Sequence, residues 1–234
     1  MASSRAPART TPRTTIRLGV AVINLPYLSP VYLAKQASTL DVLSGGRFDL
    51  GLGTGWSPVE FAATGSHPSP RGRRIEEYLA VLRTLFTDRV AAYEGSLYTL
   101  PPSTMDPPPV QPGGPPILLG GTAEAALRRA GRIAAGWVSS SRASLADIQR
   151  GAQTVRRAAE EAGRDPDLIR IIVRGVAPAG DWARFKTTAE QYERAGVTEL
   201  FYDLNWDPLI GSPDADPKAA GVRAEEILTA LAPG

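Results

Sequence analysis

Cysteine is absent from the 234-residue chain. That absence removes disulfides, thiol nucleophiles and cysteine-ligated zinc or iron–sulfur centres. Histidine is nearly absent as well: His67 is the sole one, too little for a conventional histidine metal site. Lysine occurs only as Lys35, Lys186 and Lys218, so arginine carries nearly all the positive charge. The formal net charge is just +2 despite a pI near 9.0. No run approaches the ~18 consecutive apolar residues of a membrane-crossing helix. The basic residues form neither a concentrated face nor a known nucleic-acid-binding motif. The expectations are no metal, no membrane span, no nucleic-acid partner and a cytoplasmic location.

What is present is ordinary for a globular protein: 43% of residues are hydrophobic and 21% charged. The opening "MASSRAPARTTPRTT" carries Arg5, Arg9 and Arg13 and no acid. It lacks the apolar segment of a secretory signal and reads as a disordered stub, residues 1–15, ahead of a single domain over 16–234.

Strand-like and helix-like stretches then alternate. "TIRLGVAVI" (15–23) is β-branched and apolar, the pattern of a strand buried on both faces. Ser29-Pro30 opens a helix that Gly45-Gly46 stops. A second strand covers 47–53, and "RGRRIEEYLAVLRTLFTD" (71–88) places Ile75, Tyr78, Leu79, Leu82 and Leu85 on one helical stripe. Residues 91–100 read as a hairpin about Glu94-Gly95, and the proline-rich segment that follows reads as a surface connection. "ILLGG" (117–121) is a third core strand, with Thr122 placed to cap the helix behind it. "WVSSS" (137–141) is a fourth strand, and Ser144 with Asp147 forms a capping box for a helix to Ala162. A fifth strand (169–176), a helix (188–195), a sixth strand (199–205) and a helix opened by Asp216-Pro217 complete the chain. This alternation means a parallel α/β architecture, either an open doubly wound sheet or a (β/α) barrel. A full barrel needs eight strands.

"RFDLGLGTGW" (47–56) sets Gly51, Gly53 and Gly55 at the end of a strand, where glycine is unfavourable without a reason. A dinucleotide fingerprint would need its third glycine where Trp56 stands. The wider block, "LAKQASTLDVLSGGRFDLGLGTGWSPVEFAATG" followed by "RGRRIEEYLAVLRTLF", closely resembles the bacterial-luciferase-like monooxygenase family. It is most similar to the branch that uses the deazaflavin coenzyme F420. The likeness continues through "YEGSLYTL" and "VQPGGPPILLGGTAEAALRRAGRIAAGWV" and spans roughly residues 16 to 205.

The resemblance implies a TIM-type (β/α) barrel, here N-terminally truncated to about six parallel strands. It implies coenzyme F420, or alternatively FMN, bound at the C-terminal strand ends beside a small-molecule substrate. The activity implied is hydride transfer or monooxygenation. On this reading Gly53, Thr54 and Gly55 let the flat ring approach the backbone, Trp56 walls the pocket, and Gly120, Gly121 and Thr122 face the phosphate. Ser139 to Ser141 could add hydroxyl donors. In this family the first strand here often ends in a bulge with a non-prolyl cis peptide behind the ring; the matching residues are Ala21, Val22 and Ile23. Glu60 matches a recurrent family acid, and His67 matches no catalytic position.

The family's first two strand–helix units, which bring acidic or histidine residues against the reactive face, have no counterpart in the likeness. No catalytic acid or base is assigned. An open six-strand sheet exposes two edges, at 16–23 and 199–205. Three accounts fit that exposure: a start placed too late, a homodimer or other homo-oligomer that covers the edges, or an inactive cofactor-binding or assembly fragment.

Overall fold

The computed structural model describes residues 15–175 and 182–231; the stub, apart from Thr15, and Val176 of the fifth predicted strand lie outside them. The elements in chain order are β1 (Leu18–Asn24), α1 (Pro30–Ser44), β2 (Phe48–Gly53), α2 (Pro58–Ala63), α3 (Arg71–Thr87), β3 (Ala91–Glu94) and β4 (Thr99–Ser103). They continue with β5 (Ile117–Gly120), α4 (Glu124–Ile133), β6 (Gly136–Val138), α5 (Leu145–Glu161), β7 (Arg170–Gly175), α6 (Trp182–Arg194), β8 (Glu199–Tyr202) and α7 (Pro217–Leu231).

Six strands form one parallel sheet in the order β1-β2-β5-β6-β7-β8, while β3 and β4 make a separate antiparallel hairpin. Alternation along each strand sends one set of side chains outward and the other inward. Leu50, Leu52, Ile117, Leu119, Trp137 and Ile171 join the cluster that holds Leu33 and Ala37 of α1, Leu79 and Leu82 of α3 and Val155 of α5. Each such fully buried leucine contributes about 2 kcal/mol of hydrophobic stabilisation. On the inner face Leu118, Val138 and Ile172 form a smaller cluster with Ala21 and Phe201.

The inner face also shows that the sheet curls. Arg170 of β7 contacts Asp49 of β2 at 2.9 Å although β5 and β6 lie between them. On a flat sheet three strand spacings would separate those strands by about 14 Å. The sheet is therefore a partial barrel with a polar floor, where Arg17 meets Asp49 at 2.5 Å and Arg170 meets Glu199 at 2.5 Å.

The "LDVLSGGR" block is a structural corner. Gly45 (φ 64°) ends α1 in the left-handed region, and Gly46 donates to the Asp41 carbonyl at 2.9 Å. The buried Asp41 carboxylate turns to the proline-rich connection, where Oδ2 accepts from the Val110 and Gln111 amides at 2.8 and 2.9 Å. The Gln111 side chain donates to Asp41 Oδ1 at 2.6 Å and to the Phe48 carbonyl at 2.8 Å, tying that connection to β2.

Several expectations need correction. β1 is not buried on both faces: it is an edge strand, and Ile16 and Leu18 stay 49% and 48% exposed. The predicted 137–141 strand ends at Val138, leaving the serines in a loop, and the 199–205 strand ends at Tyr202. There Asp203 accepts from the Asn205 amide at 3.1 Å and starts a short 3-10 turn instead. Thr122 does not cap α4; Ala123 holds the cap position and has no side chain to offer. The Ser144–Asp147 capping box is present in both directions, and β1 and β8 are the sheet edges.

Candidate cofactor site

The C-terminal ends of β1, β2 and β5 lie side by side, with Asn24 paired to Gly53 and Leu52 to Leu119. Pairing of β1 with β2 shifts between Val20 and Ile23, and the Ala21–Val22 peptide is cis. This bulge turns Val22 inward over the neighbouring strands. A Cβ on Gly53 would lie 2.7 Å from Val22 Cγ2, and one on Gly51 would run into the Val20 carbonyl oxygen. A Cβ on Gly120 would meet Val22 Cγ1 at an ordinary 3.5 Å. Gly51 and Gly53 therefore make room for the bulge, and Val22 lies over the Gly53 backbone. Gly55 (φ 73°) serves a turn that packs against Tyr27 and Phe61.

Trp56 does not pack into this wall; it stands 80% exposed at the rim. Beyond it Ser57 caps α2 by accepting from the Glu60 amide at 3.3 Å. Ile23, Asn24, Tyr27, Leu28, Glu60 and Thr64 line a cavity of about 470 Å³ there. The Tyr27 hydroxyl is buried with no hydrogen-bond partner. Burial first, and the neighbouring Glu60 carboxylate second, raise its ionisation above the usual 10.0. Tyr27 thus keeps its proton at ordinary pH, with the Glu60 carboxylate as its charged neighbour. His67 sits in an exposed loop, its ring facing Ser69.

At the end of β5, Gly121 (φ 138°) makes the turn toward α4, a conformation that L side chains rarely adopt. Its carbonyl accepts from the Trp137 indole at 2.8 Å, which fixes the turn on β6. Because α4 lacks a side-chain cap, its first amides are available to an anion, supported by the positive end of the helix dipole. Of the predicted serines, Ser139 is buried and its hydroxyl accepts from the Arg174 amide at 3.3 Å.

Sequence reasoning did not reach the polar group at the ends of β7 and β8. Arg174 Nε donates to Asp203 Oδ2 at 2.9 Å, and Asn205 Nδ2 donates to Oδ1 at 2.9 Å. Burial pushes the Asp203 carboxyl up, but the bonds from Arg174 and Asn205 outweigh it and hold the group below its usual 3.8. The signal was Arg170 and Arg174 within the otherwise apolar "IRIIVRGV", four residues apart and so on one face of the strand.

The sequence model of the luciferase-like monooxygenases matches residues 8–184. The chain belongs to that family. An uncharacterised protein of Mycobacterium tuberculosis (strain ATCC 25618 / H37Rv) is 34% identical over 217 residues, covering 92% of this chain and 71% of its own length. The FMNH2-dependent dimethylsulfone monooxygenase of Pseudomonas putida is 30% identical over 218 residues, 92% of this chain and 54% of that protein. The coenzyme F420-dependent tetrahydromethanopterin reductase of Methanopyrus kandleri superposes with a TM-score of 0.70 over 91% of this chain and 81% of its own. That pair shares 20% identity, so its likeness speaks to the fold. Of the latter two similar proteins, one is named as F420-dependent and the other as FMNH2-dependent. The residues here fit such a cofactor: Val22 near the end of β1, the buried Tyr27 phenol just after β1 and the uncapped start of α4 after β5 all lie toward the C-terminal ends of the strands.

Proposed function

We propose that this luciferase-like protein is an oxidoreductase that holds reduced coenzyme F420, or alternatively FMN, at the C-terminal ends of its strands and acts on a small organic substrate. The observation that carries the reading is the Val22 bulge, seated over Gly51, Gly53 and Gly120, with the Gly121 turn into uncapped α4 directly after Gly120. A bound deazaflavin supplies hydride chemistry, and reduced FMN with oxygen supplies monooxygenation. Val22 backs one ring face, the amides opening α4 receive the phosphate, and the protonated Tyr27 hydroxyl offers a hydrogen bond from the adjoining cavity. Arg174, held by Asp203, keeps a fixed positive charge beside the strand ends.

A second reading, cofactor binding without turnover, is favoured by the free edges of β1 and β8, with which no described strand pairs. A homo-oligomer covering those edges fits either reading. Among the described residues, no helix is long and apolar enough to cross a membrane.

The deciding experiment titrates the purified chain with F420 and with FMN while its native mass is recorded. Saturable binding of one of them with turnover of small alcohols, ketones or sulfones supports the enzyme. Binding without turnover supports the second reading, and binding of neither overturns both.

A further inference from the structure

Beside the Gly121 turn a groove of about 550 Å³ runs between α4 and α5. It begins at Thr122 and Glu124, passes Arg142 in the loop after β6, and continues down α5 past Arg150 to Arg157. Arg150 and Arg157 are seven residues apart and so share a helix face, about 10 Å apart along the axis. The Trp137 indole, bonded to the Gly121 carbonyl, is part of the lining. Gly151 leaves room for that ring, since a Cβ there would sit 2.5 Å from Trp137 Cη2. Trp137 therefore links the groove to the turn.

The charges in the groove are unevenly satisfied. Asp147 is taken up by Ser144, whose hydroxyl donates to it at 2.6 Å, and by Arg150. Arg142 and Arg157 form no ion pair with any described residue. Glu124 is the one lining carboxylate left without such a partner. By contrast, Arg128, Arg129 and Arg132 on the other side of α4 are all paired, to Glu161 or Glu76.

We infer that this groove is a subsite for the anionic chain extending from the phosphate of the bound cofactor, with Arg142 and Arg157 as its charge-recognising residues. The inference rests on the proposed cofactor site and goes one step further, because it assigns the choice between cofactors. FMN ends at its phosphate and leaves the groove empty; F420 continues into a carboxylate-bearing tail that the two guanidinium groups can meet. The side chains lie outside the sheet and contact no residue of the Val22 wall, so they bear on affinity and selectivity rather than on the reacting atoms.

The test is a fluorescence titration of the full chain with F420 carrying its anionic tail, with the same deazaflavin cut back to its phosphate, and with FMN. Tailed F420 should bind about tenfold more tightly than the cut-back form at low salt, and the advantage should shrink at high salt because exposed charges are screened. R142A and R157A should each lower tailed-F420 affinity about threefold, as exposed ion pairs do. Both should leave the cut-back form unchanged, and R142K with R157K should restore most of the loss. Equal binding of the two deazaflavins, or a tail advantage that survives the double alanine variant, overturns the groove assignment and leaves the cofactor site standing. Binding of FMN alone, or of no cofactor, overturns the groove assignment together with the F420 reading.

Discussion

Arg170 of β7 grips Asp49 of β2 through two contacts, at 2.9 and 3.0 Å, across the inside of the sheet. The bond spans two intervening strands and works as a cross-tie that holds the sheet in its curl. Asp49 is buried and also receives Arg17, so one carboxylate ties β2 to β7 and to the residue just before β1 at the N-terminal floor of the partial barrel. Activity in barrels of this type lies at the opposite face, so the group bears on stability.

The Asp49→Ala variant should therefore lose about 2 kcal/mol, below the value for a fully buried pair because Arg17 remains partly solvated. Urea unfolding measures the loss, and cofactor affinity in the folded fraction should not change.

The same carboxylate predicts a pH dependence. Burial raises the Asp49 pKa, but the bonds from Arg17 and Arg170 outweigh it and hold the folded value below the ordinary 3.8. A depressed folded pKa contributes stability that is full above the unfolded value and is lost as pH falls through the folded one. Unfolding free energy should thus fall with acidification below about pH 4. Asp49→Asn should flatten that part of the profile; an unchanged slope would place the acid sensitivity elsewhere.

Gly53→Ala pushes a methyl to 2.7 Å from Val22 Cγ2. Overpacking of this kind costs about 2 kcal/mol. Val22→Ala removes the obstructing methyls, so the double variant should recover about half of that loss. Chemical denaturation of the four-member cycle reads the coupling directly, and strict additivity would mean that the two residues do not touch.

Tyr27→Phe deletes a buried hydroxyl that has no partner. Stability should hold or rise slightly, since no hydrogen bond is lost and one desolvated polar atom disappears. Ligand affinity should instead fall about five-fold if the phenol donates to cofactor or substrate. Parallel thermal melts and titrations separate the two effects.

Much of the scaffold was legible because local chemistry fixes it. Gly45-Gly46, the Ser144–Asp147 box and the α3 stripe each act within a few residues. The parallel strands were legible from their apolar runs. What escaped was decided by distant segments. The exposure of β1 follows from its place at the edge, and the Arg170–Asp49 tie exists only once the sheet has curled. What crowds Gly51 and Gly53 was not legible, because the group that fills their space, the Val20–Val22 bulge, belongs to another strand. The 80% exposure of Trp56 was likewise not legible from its position alone.

Asp41 gives the family's most recognisable block a meaning of its own. By gripping the amides of Val110 and Gln111 it determines where a proline-rich stretch without a sheet ladder hands the chain over to β5. The Gly121 turn lies only a few residues downstream and inherits that placement. An inherited change at Asp41 would therefore misplace the Gly121 turn from the far side of the sheet, and under the proposed function a screen for loss of cofactor binding would return a residue remote from the proposed site.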